Sequence, residues 1–162
     1  MTTTSALVIG FGNPLRGDDG VGLTVAEALA GNPPPDCQVI IRHQLTPELA
    51  DAIAAVKLVV FVDAAADAAP GAVVIRQIRE TSKPTTGLGH AFDPPGLLAL
   101  AGRLYGRSPE AFLVGVGADS FTLGESLSEA VIAALPEAIA EVRRLVSQKV
   151  GGAHPSAGNS AP

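Results

Sequence analysis

The chain is poor in the residues that staple, cage or attract. A single cysteine, Cys37, excludes an internal disulfide and a thiolate-cage metal site. Aromatic residues make up only 4%, so the core has to come from Val, Ile, Leu and Ala, as in packed α/β layers. Basic residues are outnumbered 11 to 16, the net charge is −5, and no basic run exceeds Arg143-Arg144. Nucleic acid needs a cationic footprint, and none is present. No apolar run reaches membrane-spanning length, because Lys57, Asp63 and Asp67 interrupt the best candidate. The first residues, "MTTTSALVIGFG", show neither the positive start nor the long apolar segment of a signal peptide. The expectation is a cytoplasmic protein with no nucleic-acid or membrane partner.

What is present is enough for one domain. A chain of 162 residues, 47% of them hydrophobic, can bury a real core and is too short for two comfortable ones. Short β-branched runs alternate with segments of helical period. Strands are predicted at Ala6–Gly10, Gln38–Ile41, Leu58–Val62, Ala72–Ile78 and Ala111–Val116, the fourth nearer an edge because it alternates with polar residues. A helix is predicted from Asp19 to Leu29, with Asp18 or Asp19 as N-cap. Thr46-Pro47 and Asp93-Pro94 each pair a cap with an N1 proline, opening helices to about Val56 and Tyr105. From Ser128 onward Val131, Leu135, Ile139, Val142 and Val146 form one stripe, and Pro136 predicts a kink or restart within it. This alternation argues for one mostly parallel sheet with helices on both faces. Residues 1–150 are read as a single α/β domain. The stretch 151–162, "GGAHPSAGNSAP", has nothing to bury and is expected to be disordered.

The segment "VIGFGNPLRGDDGVG", Val8–Gly22, places five glycines and two adjacent acids after the first strand. A dinucleotide fingerprint would need a third glycine where Leu15 stands, and a Walker loop would end in Gly-Lys-Ser/Thr. Two aspartates at a helix N-terminus repel a phosphate and occupy its donors. Phosphate cradling is disfavoured. Asp18 is read either as a helix cap or as a chemical group. The second acid, Asp19, is free to stand in the crevice at the carboxyl edge of the sheet.

Asp63 follows five apolar strand residues in "VVFVDAAADAAPG" and leaves the core at that same edge, either as a turn-former or as a site carboxylate. His90, in "TTGLGHAFDPPG", precedes a helix in a glycine-rich loop; taken alone it reads as a surface histidine. Together, two carboxylates and an imidazole on one side of one sheet suit a divalent ion such as Ni²⁺ or Zn²⁺, with open positions for water or substrate. An aspartic-protease pair of Asp18 and Asp19 is a poor rival, since neighbouring loop residues rarely aim both carboxyls at one water. Ser120 and Ser126 lack the context of a nucleophile elbow.

With "GFGNPLRGDDGVG", then "VVFVDA…PG", a loop histidine and "LGESLSEAV…LPEAI", the sequence resembles the hydrogenase maturation endopeptidases, from about Ala6 to Val146. The resemblance implies a three-layer α/β/α sandwich. It also implies removal of a C-terminal extension from a nickel–iron hydrogenase large-subunit precursor once nickel is in place. The residues it implies as metal contacts and catalytic groups are Asp19, Asp63 and His90, with nickel delivered by the substrate and Asp18 in a capping or supporting role. Many members carry Glu at the position of Asp19. Where several have Asp-Gly-Gly-Thr, this chain has "RHQLTPELA", which puts His43 near the place of a specificity acid. His154 is read as inert. Two other readings remain: a non-proteolytic nickel-handling or chaperone module binding the same precursor, and a nucleotide-binding domain, which would be stabilised by NAD, FAD or ATP.

Overall fold

Five short runs too apolar to stay in water pair into one sheet. The computed structural model describes residues 4–80, 92–124 and 126–151. Its strands are β1 (Ala6–Phe11), β2 (Cys37–Arg42), β3 (Leu58–Ala65), β4 (Val73–Ile78) and β5 (Glu110–Gly117), in the spatial order β2-β1-β3-β5-β4. The first three and β5 are parallel, and β4 lies antiparallel on the outer edge of β5. The reason is the connection. Only residues 66–72 separate β3 from β4, and a parallel return needs a crossover of about a dozen residues or more. The exposed Arg76 and Gln77 on β4 suit an edge that must not recruit another strand.

Helices cover both faces, giving three layers. Leu7, Ile9, Val59 and Phe61 face α2 (Leu49–Ala54) and α3 (Pro94–Tyr105) through Leu49, Ile53, Leu97 and Leu98. Ala6, Val8, Val60 and Val62 face α1 (Val21–Gly31) and α4 (Glu129–Val146) through Val25, Leu29, Val131 and Val142. The two-residue period of the strands divides these sets. The fold is thus the predicted α/β/α sandwich with a mostly parallel sheet.

Several local expectations are met and others corrected. Asp93 caps α3 by accepting the Gly96 N–H at 2.8 Å, with proline following as predicted. Ser128 caps α4. That helix runs unbroken through Pro136, so no restart occurs. Its inward face is Val131, Ala134, Ala138, Val142, Leu145 and Val146, while Leu135 and Ile139 are only partly buried. Small alanines let the helix approach the sheet, and the larger side chains flank the contact. Thr46-Pro47 does not open α2. Its carbonyls instead accept the N–H groups of Leu49 and Ala50 in a turn, and the helix begins at Leu49 without a side-chain cap. Residues 152–162, including His154, lie outside the described residues. Among the described residues, no helix is long and apolar enough to cross a membrane.

Candidate functional site at the carboxyl edge

The chain leaves β1 and β3 in opposite directions, since β2 lies beyond β1 while β5 and β4 lie beyond β3. At such a switch point the loops diverge and a crevice opens outside the strand ends. Both predicted acids flank it. Asp19 sits in a 3-10 turn, Gly17–Gly20, directly after β1. Asp63 lies within β3, which runs three residues past the predicted end. Pairing of β3 with β1 stops at Val62–Gly10, so beyond that point Asp63 is matched only to Gly115 of β5. By strand alternation it shares the face of Val59 and Phe61, the face that carries α3.

The glycines of the opening segment are there for close approach. A side chain at Gly22 would put its first carbon 2.3 Å from the Val62 carbonyl oxygen and 2.5 Å from that of Phe11. At Gly12, where φ is +146°, it would lie 1.9 Å from the Asp19 carbonyl oxygen. The absence of side chains lets α1 and its leading turn sit against the strand ends. They bring Asp19 to the crevice rather than opening room for a phosphate.

The two acids have different fates. Asp19 is partly buried, and its Oδ2 accepts the Asn13 N–H at 2.8 Å. Asp63 is pushed up to about 7, first by burial and further by the negative charge of Asp19, against which the Ala64 N–H gives partial relief. Burial is the larger cause, and the Asp19 charge adds to it. A proton, a cation or a donor from a bound molecule would relieve the repulsion.

Asp18 is different again. It is fully buried and caps nothing on α1, whose N-cap is Gly20 with no side-chain bond. Its carboxylate instead accepts the N–H groups of Asp119, Ser120 and Ser128 at 2.8, 3.1 and 2.7 Å, and the Ser128 hydroxyl at 2.8 Å. Burial pushes its pKa up, but these donors outweigh it and hold the carboxyl below the usual range. Asp18 therefore clips the β5–α4 loop to the turn that presents Asp19. The sequence pattern marks Ser128 only as the start of a helix, neither as its cap nor as a partner of Asp18. Asn13 was visible only as part of the Gly-x-Gly-Asn pattern.

His90 lies outside the described residues, which resume at Phe92, whose N–H bonds the Leu45 carbonyl at 3.3 Å. Among the described residues, no cluster of three or more His, Cys, Asp or Glu side chains gathers as a metal cage. His43 is exposed just past the carboxyl end of β2. With Arg42, Gln44, Thr46 and Glu48 it lines an open groove of about 400 Å³. Cys37 opens β2 at the opposite edge of the sheet, its thiol pushed up to about 11 by burial and by Asp36. It takes no part in the site.

Comparison with solved structures places this geometry. The hydrogenase maturating endopeptidase HybD from E. coli superposes with a TM-score of 0.71 at 23% identity, over 90% of this chain and 93% of that one. The [NiFe] hydrogenase maturation protease HycI from Thermococcus kodakarensis KOD1 matches with a TM-score of 0.66 at 28% identity, over 89% and 93%. A hydrogenase 2 maturation peptidase from a Thaumarchaeota archaeon matches with a TM-score of 0.63 at 28% identity, over 91% and 98%. The chain is a structural relative of the hydrogenase maturation endopeptidases. No family model matches it, and no curated protein does. The likeness to HybD covers nine-tenths of this chain, so it is a likeness of the whole fold and not of a fragment.

Proposed function

We propose that the chain is an endopeptidase that removes the C-terminal extension of a nickel–iron hydrogenase large-subunit precursor after nickel has been inserted. The observation that carries this reading is the convergence of Asp19 and Asp63 at the β1/β3 switch point, in a fold shared with proteins named as hydrogenase maturation proteases. Nickel here belongs to the substrate. Asp19, Asp63 and His90 offer an incomplete set of oxygen and nitrogen ligands, which the precursor's own ligands complete. An unmetallated precursor gains none of that coordination energy, so cleavage is conditional on insertion.

Water is the attacking group in this scheme. Its oxygen adds to the scissile carbonyl carbon, the C–N bond breaks, and a proton passes to the leaving amine. The site's part is to hold the metal-bearing segment so that one peptide bond is presented repeatedly in one place.

The test is direct. Purified protein mixed with nickel-loaded precursor should produce a mass loss equal to the C-terminal extension, while metal-free precursor stays whole. An intact mass under every metal condition would sink the endopeptidase reading and favour a nickel-handling module on the same precursor.

A further inference from the structure

Leu15 and Leu123 are left 66% and 67% exposed, and Phe121 39%. All three stand on the two loops that Asp18 clips together. The Leu15 carbonyl accepts the Gly124 N–H at 2.7 Å, and the Asp18 N–H donates to the Ser120 carbonyl at 2.9 Å. The loops approach so closely at Gly17 that a side-chain carbon there would lie 2.7 Å from the Ser120 carbonyl oxygen. Leu15 is also tied to the site acid. Its N–H bonds Asn13 Oδ1 at 2.9 Å, and the Asn13 N–H holds Asp19 Oδ2 at 2.8 Å. The other large exposed hydrophobics among the described residues, Ile75, Leu104, Tyr105 and Ile132, are spread over β4, α3 and α4. Apolar side chains held in water on a backbone so firmly bonded gain nothing for the fold, and grouped exposure of this kind marks a binding surface.

We propose that Leu15, Phe121 and Leu123 form an apolar ledge beside the two carboxylates that binds an apolar stretch of the precursor polypeptide. The inference rests on the endopeptidase reading and extends it to how the substrate's side chains are recognised. Continuity names the occupant. A polypeptide brought to Asp19 has to run alongside the loop that carries Asp19, and Leu15 precedes that acid by four residues on the same loop. Metal ligation reads the ion and not the sequence around it; the ledge reads the sequence. Because burying apolar surface needs no metal, the ledge contributes equally to loaded and metal-free precursor. The Asp18 clip sets it in advance of binding, so little ordering cost falls on association.

The experiment compares a Leu15→Ser/Leu123→Ser double variant with a Leu104→Ser/Ile132→Ser control, each checked for an unchanged circular dichroism spectrum. Cleavage of nickel-loaded precursor gives kcat and KM, and binding of metal-free precursor is measured separately. The ledge variant should raise KM by about 100-fold with little change in kcat, the scale of two leucines no longer leaving water. It should weaken metal-free binding by a similar factor, and the control should match wild type. Unchanged KM and unchanged binding, with wild type cleaving, would overturn the ledge and leave the endopeptidase reading standing. If wild type leaves the precursor whole, that reading falls, and the metal-free binding comparison decides the ledge alone.

Discussion

Asp18 and Ser128, 110 residues apart, share two hydrogen bonds, one from the Ser128 N–H at 2.7 Å and one from its hydroxyl at 2.8 Å. The same hydroxyl accepts the Val131 N–H at 3.4 Å, so the start of α4 and the turn after β1 are joined through one serine. With the Asp119 and Ser120 N–H groups, a fully buried carboxylate is fully occupied. Asp18→Asn puts an amide where only acceptors fit. It should lower the unfolding free energy by about 2–3 kcal/mol in urea melts, since donors lose a charged partner in a buried site. Amide exchange should quicken in residues 13–19 and 119–124 together. Wild-type stability with Asn would mean the clip bears no load.

The Asp18 shift also has a sign in pH. Its folded pKa lies below the ordinary 3.8, so its stabilisation is present above the unfolded value and is lost as pH falls through the folded one. Acid titration should therefore cost wild type stability below about pH 4, and Asp18→Asn should flatten that part of the curve. A variant with the wild-type acid limb would rule Asp18 out as its source.

Asp63 carries the opposite sign. Its pKa is raised to about 7, so the charged form is disfavoured in the fold and stability falls as pH rises from the unfolded value towards 7. Asp63→Asn should be more stable than wild type at pH 8, by about 4 kcal/mol for a pKa raised to about 7, and near wild type at pH 4. Carbon-13 titration of the wild-type carboxyl should show a midpoint near 7. In Asp19→Asn that midpoint should move down while staying above the ordinary range, because burial is the larger cause and the Asp19 charge the smaller. An unmoved midpoint would mean the two carboxylates are not neighbours. If, as proposed, Asp63 meets the substrate's nickel as a carboxylate, kcat/KM for cleavage should rise with pH through the same interval.

Gly22→Ala tests the packing beneath the site. The added carbon would meet two backbone oxygens, those of Val62 and Phe11, and neither can rotate away as a side chain could. Destabilisation of about 3 kcal/mol or more is expected in thermal or urea melts, at the severe end for overpacking. Gly31→Ala is the control: nothing lies within 4 Å of its added carbon, and it should be neutral or stabilising.

Strand runs such as Leu58–Val62 and the Asp93-Pro94 cap were legible because their signals are local: period, branching and a cap three residues from its donor. The placing of Asp19 and Asp63 at one edge was legible too, since parallel strands put their following loops on the same side. Other features depend on residues distant in sequence. Asp18 looks like a helix cap because nothing near it reveals that its donors come from residues 119–128. The burial of Ala134, Ala138 and Leu145 in place of Leu135 and Ile139 is set by how closely α4 approaches the sheet, which the periodicity of one helix does not encode. The antiparallel direction of β4 follows from a short link, nine residues between the predicted strands and seven in the fold, whose consequence appears only once its neighbour is known.

The site itself is tested by removing its groups one at a time. Asp19→Ala, Asp63→Ala and His90→Ala should each reduce cleavage of nickel-loaded precursor by about 100-fold or more, the scale of losing a group that acts in the transition state. Folding should survive in the first two, for different reasons. The Asp19 carboxylate is only partly buried and accepts the Asn13 N–H, so little packing is lost with it. Burial first, and the Asp19 charge after it, disfavour the ionised Asp63, so its removal should not cost the fold. Loss of activity with retained or increased stability is therefore the signature of a functional acid at position 63, whereas a structural acid would lose both. Wild-type cleavage in any two of the three variants would remove these residues from the reaction, and the mass assay against the same precursor decides it.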